Sequence, residues 1–380
     1  MPEEGSLEAL DAHDPTAPRA TGTYDLVAGL PLTIESYALE RRELTVSSGF
    51  TRVTTVIRLR GRRGEEGIGE DVTYSAEDGT AFQRKLGDGA LALAGSWASL
   101  DDFSRRLDEL DLFTGRPDQD AYRDYRRWGF ESAALDLALR QAGRSLADVL
   151  EREPAPVTFV VSLRLPEPPT IEPLLSWLED YPELRFKLDA TVSWDDALVA
   201  ELAERVHVES VDLKGAYRGT VVDNPADPLL YRLVAEGFPQ AWIEDPNLDD
   251  PAADAALAAH RERITWDAPI HSVADIEGLP FPPRRLNIKP SRFGSLERLF
   301  AAYDFCDARG IGLYGGGQFE LGPGRGHIQY LASLFHPGAP NDVAPGGYNS
   351  GPPRPGLPRT PLTPQPSSTG FRWGETDPAL

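Results

Sequence analysis

From Leu32 to Arg60 the chain reads LTIESYALERRELTVSSGFTRVTTVIRLR, apolar and polar residues alternating on both sides of Gly49. A period of two puts one face of a strand on a core and the other toward solvent, so this stretch predicts strands joined by a loop. GEEGIGED, residues 64–71, predicts a glycine-rich turn. The period then becomes helical, over Ser99 to Leu110 and again over Arg127 to Ala142, where Phe130, Ala134, Leu137 and Ala138 share a face. Strands followed by helices predict an α+β module over 24–155, after a disordered lead at 1–23.

Beyond about Val157 strand and helix patterns alternate. VTFVVSL, LRFKLDA, VESVDLKG, QAWIEDP, RITWDAPI, RRLNIKP and GIGLYGGG predict seven strands, separated by helical stretches such as SWDDALVAELAERV. Strands joined through helices pair in parallel, and this many units favour an α/β fold closed into a TIM-like barrel over 156–345; a doubly wound open sheet is the alternative. Residues 346–380 form a Pro- and Gly-rich tail, in which GFRW at 370–373 predicts partial packing on the first module.

The net charge of −22 disfavours phosphate backbones and anionic lipid, so neither nucleic acid nor membrane is an expected partner. A single cysteine excludes an internal disulfide and a cysteine-based zinc cluster. No run reaches the roughly 18 apolar residues of a membrane span, and the acidic, proline-containing start lacks a signal-peptide pattern; a cytoplasmic protein is expected.

Lys and Arg together number 38, yet only four are lysines: Lys85, Lys187, Lys214 and Lys289. Arg serves wherever a permanent charge suffices, whereas an amine whose pKa moves on burial can act as a base. Three of the four lie at predicted strand ends. Alternation along the second barrel strand points Arg185, Lys187 and Asp189 to one side, and along the third does the same for Asp212 and Lys214. Asp212, Glu244 and Asp267 end three successive strands and supply three hard oxygen donors, the set that Mg²⁺ prefers. Any one of these acids also reads as a helix cap, Asp245 before Pro246 above all.

Several segments together resemble the enolase superfamily: GIGED (67–71), ESAALDLAL (131–139), IKPSRFGSL (288–296) and GGQFELGPGRGH (316–327). The last is similar to the seventh-strand segment of the muconate-lactonizing-enzyme subgroup, which includes o-succinylbenzoate synthases, N-acylamino acid racemases and dipeptide epimerases. The resemblance implies a (β/α)7β barrel with an α+β capping domain, and one Mg²⁺ on Asp212, Glu244 and Asp267. It implies Lys187 and Lys289 as acid and base, with Arg185 in the first position of the K-x-K motif. It further implies abstraction of the α-proton of a small-molecule carboxylate through a metal-stabilised enediolate, by a racemase, epimerase or cycloisomerase. A lyase of the o-succinylbenzoate-synthase or acid-sugar-dehydratase kind is the alternative, followed by a Schiff-base aldolase and a barrel that only binds a carboxylate. A homo-oligomer is expected. Two positions depart from the pattern: Lys214 stands where Asn is usual, and Ala268 follows Asp267 where Glu is usual. Lys214 is therefore expected to pair with Asp189 or to grip an anionic group of the substrate. Asp189 in place of Lys187 as base is a different register. Gln318, Glu320 and the cap residues Phe50 and Tyr74 complete the expected substrate contacts.

Overall fold

The computed structural model describes residues 22–45, 51–87, 89–217, 224–348 and 351–373. The predicted disordered lead falls almost wholly outside the described residues, as does Phe50.

A short helix α1 (Asp25–Ala28) leads into β1 (Leu32–Ile34), which pairs antiparallel with β5 (Gly95–Trp97). Between them β2 (Ser36–Thr45), β3 (Thr51–Arg60) and β4 (Glu66–Asp71) form an antiparallel sheet, followed by α2 (Ala76–Leu86). Then come α3 (Leu100–Asp108), α4 (Tyr122–Ala142) and α5 (Leu146–Leu150). Ser99 begins α3 by accepting a hydrogen bond from the Asp102 amide at 3.0 Å, a side-chain cap on an otherwise unbonded N–H.

GIGED is not a turn but strand β4. Its glycines serve close approach rather than bending: a Cβ on Gly67 or Gly69 would collide with the carbonyl oxygen of Ala133 or Gly129 in α4. Helix α4 presses directly on this strand and is buried on every side from Trp128 to Leu139, so the single apolar face expected of it is one part of a fully enclosed surface.

The seven expected parallel strands are present as β6 (Val161–Arg164), β7 (Phe186–Asp189), β8 (Val208–Asp212), β9 (Trp242–Glu244), β10 (Ile264–Thr265), β11 (Arg285–Ile288) and β12 (Gly312–Gly315). Between them run α6 (Glu172–Asp180), α7 (Asp196–Arg205), α8 (Pro228–Gly237), α9 (Pro251–Leu257), α10 (Val273–Glu277), the short α11 (Pro290–Phe293) and α12 (Leu296–Ala308). Helix α13 (Pro323–Phe335) follows β12.

Strands β6 to β10 pair in sequence order, and β11 pairs with β12. The Asn287 amide donates to the Trp266 carbonyl at 3.0 Å, bridging β10 and β11. On the other side Asp342 bridges Gly316 and Asn341 bridges Phe159, so residues 341–342 stand as the eighth strand between β12 and β6. The tail returns to the cap: Phe371 is fully buried, stacked on His327 of α13 and edge-on to Trp128 of α4. Among the described residues no helix is long and apolar enough to cross a membrane.

Candidate active site

Register builds the site. Arg164, Asp189, Asp212 and Glu244 are successive pairing partners across β6, β7, β8 and β9, so the strands end on one row of charged side chains. Asp212 and Glu244 are fully buried. Lys187 lies beneath this row, only 2% exposed, and donates to Glu244; its Nζ is 3.5 Å from Asp212 and 3.8 Å from Asp342. Lys214 donates through its ammonium to Asp212 and stands 3.3 Å from Asp189. On the far side, Lys289 pairs with Asp267 at 2.8 Å, and Arg292 reaches the same carboxylate at 2.7 Å. In a ring of eight, β7 and β11 hold the second and sixth places, which are diametrically opposite.

Arg185 is not among these residues. At the register irregularity between β7 and β8, where the partner of Phe186 is Val208 and that of Lys187 is Ser210, Glu209 falls outside the ladder, and exposed Arg185 pairs with it at 3.2 Å. Asp245, read from sequence as a helix cap, is instead buried beside Glu244. Its backbone is left-handed, φ +47°, and its carboxylate accepts the amides of Asp267 and Ala268, each at 2.9 Å. Asp212, Glu244 and Asp245 each offer an oxygen, all within 4.8 Å of one another. Asp267 is not in that group of three; its oxygens are taken by Lys289, Arg292 and, at 3.0 Å, the Tyr217 hydroxyl.

The charges decide the protonation states. Burial pushes Glu244 up to about 8 and Asp245 up to about 7, with Lys187 opposing the rise at Glu244. Burial acts the same way on Asp267, but Arg292 and Lys289 outweigh it and hold this carboxyl far below the usual range. Burial disfavours the Lys187 ammonium, yet Glu244 and Asp212 raise its pKa well above that of a free amine. The carboxylates by themselves thus keep Lys187 charged.

A cavity of about 870 Å³ opens beside the charged row, its wall including Tyr74, Arg164, Trp177, Asp189, Phe319, Arg325 and Asp342. Tyr74 is where a cap contact was expected. Gln318 instead turns its amide to Tyr125 of α4 at 3.1 Å, and Glu320 lies 3.4 Å from Arg325.

Sequence reasoning missed Asp245, Arg292, Asp342, Tyr217 and Tyr314, whose hydroxyl donates to Glu244. Only Arg292 carried a signal, three residues beyond Lys289 in the quoted IKPSRFGSL. It also missed two cap residues that hold the segment after β12. Buried Arg52 donates to the carbonyls of Gln318 and Phe319 at 2.9 and 3.2 Å. Buried Glu70 accepts the amides of Leu321, Gly322 and Gly324 at 2.7 to 3.0 Å.

Family models described as the N-terminal and C-terminal domains of a Domain of unknown function (DUF8230) match residues 25–149 and 153–350. An o-succinylbenzoate synthase from Geobacillus stearothermophilus is 25% identical over 339 residues, covering 83% of this chain and 85% of that one. The chain is a DUF8230 protein of the enolase superfamily. An N-succinylamino acid racemase from Amycolatopsis is 32% identical over 226 residues, 57% of this chain and 58% of its own. A muconate cycloisomerase from Pseudomonas fluorescens has the same fold, with a TM-score of 0.62 at 20% identity over 82% of this chain and 87% of that one. Like these relatives, the DUF8230 protein is an enolase-superfamily isomerase or lyase, with a cap and a TIM-like barrel.

Buried hard oxygens within 4.8 Å of one another fit a divalent cation of the Mg²⁺ kind. Asp212, Glu244 and Asp245 would hold it. Lys187, Lys214 and the Tyr314 hydroxyl already engage Asp212 and Glu244, so the cation would share the carboxylates with internal donors.

Proposed function

We propose that this protein abstracts the α-proton of a small-molecule carboxylate with the help of one Mg²⁺, as a racemase, epimerase or cycloisomerase. The observation that carries this reading is the placement of Lys187 and Lys289 on diametrically opposed strands, each ion-paired to the ring of buried carboxylates. When bound, the cation supplies positive charge for the substrate carboxylate and offsets the carboxylates that hold Lys187 charged. The chain's own part is proton transfer: the amine that is neutral accepts the α-proton, and the ammonium on the opposite strand returns one. Return to the opposite face inverts the centre, whereas return to a leaving group gives the lyase reaction. Asp267, itself held by Arg292, fixes the head of Lys289, and Gly316 leaves it room, since a Cβ there would sit 2.8 Å from Lys289 Cε.

The test is deuterium incorporation at the α-carbon of N-acylamino acids, dipeptides and sugar acids in D2O with Mg²⁺. Exchange that falls by about 10²-fold or more in Lys187→Ala and Lys289→Ala supports the reading. Exchange that survives in both variants, or is absent for every acid class with metal bound, overturns it. One observation favours a second register: Asp189 lies in the cavity wall and Lys187 behind it. On that reading Asp189→Asn abolishes exchange on one face while Lys187→Met retains it.

A further inference from the structure

Lys214 holds both oxygens of Asp212. Its backbone N–H donates to Oδ1 at 3.0 Å and its ammonium to Oδ2, a clasp made possible by a left-handed backbone at φ +54°. The ammonium occupies the same carboxylate that a divalent cation needs, in a setting where the side chain is only 14% exposed. Beside it is a second seat: Asp189 Oδ1 is buried, accepts no hydrogen bond, and lies 3.3 Å from Lys214 Nζ. Lysine suits two seats, being a point charge on a flexible stem, and burial makes an uncompensated carboxylate at either seat costly.

We propose that Lys214 is a tethered counter-cation that competes with the divalent metal for Asp212 and moves onto Asp189 when the metal takes Asp212. This rests on the metal reading above. The competition lowers the metal affinity of the site and keeps its carboxylates assembled without a bound ion. Asp189 thereby favours metal binding through Lys214, as a positioning residue.

The experiment is Mn²⁺ binding, read from the free-ion electron paramagnetic resonance signal at one fixed pH. It uses the full chain, Lys214→Met, Asp189→Asn and the double variant, with folding checked by circular dichroism. Lys214→Met should bind Mn²⁺ about tenfold or more tightly than the natural chain. Asp189→Asn should weaken binding in the natural background and leave it unchanged in the Lys214→Met background, because no ammonium then needs the second seat. Lys214→Gln, which keeps a polar head, should behave as Lys214→Met does and replaces it if that variant fails to fold. Equal or weaker binding in the Lys214 variants overturns the proposal while leaving the metal site intact. So does an Asp189→Asn loss of the same size in both backgrounds, which would be simple field strength. If no form binds Mn²⁺, the proposal and the metal reading fail together.

Discussion

Residue by residue, this molecule is governed by charges that burial would forbid singly and tolerates in pairs. Arg126 and Asp71 are both 1% exposed and bonded at 2.8 Å, and removing either partner would leave an uncompensated buried charge. His336 shows the same economy with a neutral group. It is buried, its Nδ1 is 2.7 Å from Asn341 Oδ1, and burial lowers its pKa from 6.5 to about 4. Between those two values the unfolded chain binds a proton that the folded chain refuses. Stability from this residue is therefore complete above pH 6.5 and is lost as the pH falls toward 4, by about 3 kcal/mol in all. Urea unfolding at a series of pH values should show that fall in the natural chain and a smaller one in His336→Gln. Parallel curves for the two proteins would contradict it.

Elements act here through what they present to one another, and that is where the sequence was least legible. The acids at the ends of β8 and β9 could be read because alternation and a short strand fix which side chains turn inward. Arg185 could not, since the register irregularity that sets its partner Glu209 of β8 outside the ladder is invisible in a string of residues. Nor could Asp245, whose left-handed backbone keeps two consecutive acids inside. Glycines 67 and 69 looked like a turn because close helix packing and chain reversal both call for glycine. Glu70 was hidden for another reason: its partners lie some 250 positions away, at the N-terminus of α13, where its carboxylate takes amides that no helical carbonyl can reach. Glu70→Ala should cost about 3 kcal/mol or more in unfolding free energy. It should also speed hydrogen exchange at Leu321, Gly322 and Gly324 before other amides of the barrel. Unchanged protection at those three would show that the cap does not hold this segment.

At the scale of the whole molecule, cap, barrel and returning tail share one enclosed interior. Asp136 in α4 ties the cap to the tail, accepting the Ile68 amide at 2.9 Å and the Phe371 amide at 2.8 Å while pairing with Arg372. The strand and helix alternation and the rare lysines made the barrel and its opposed amines legible from composition and pattern. The grouping of Asp245 with Asp212 and Glu244, and the pairing of Asp267 with Lys289 and Arg292, depended on the three-dimensional arrangement. Crystals soaked in Mn²⁺ and measured at the manganese absorption edge test this account most directly. It predicts one internal anomalous peak bonded to Asp212 and Glu244, with Lys187 and Lys289 on opposite sides of it. A structure whose manganese sits only on surface acids, leaving Asp212 and Glu244 to their lysines, would contradict it.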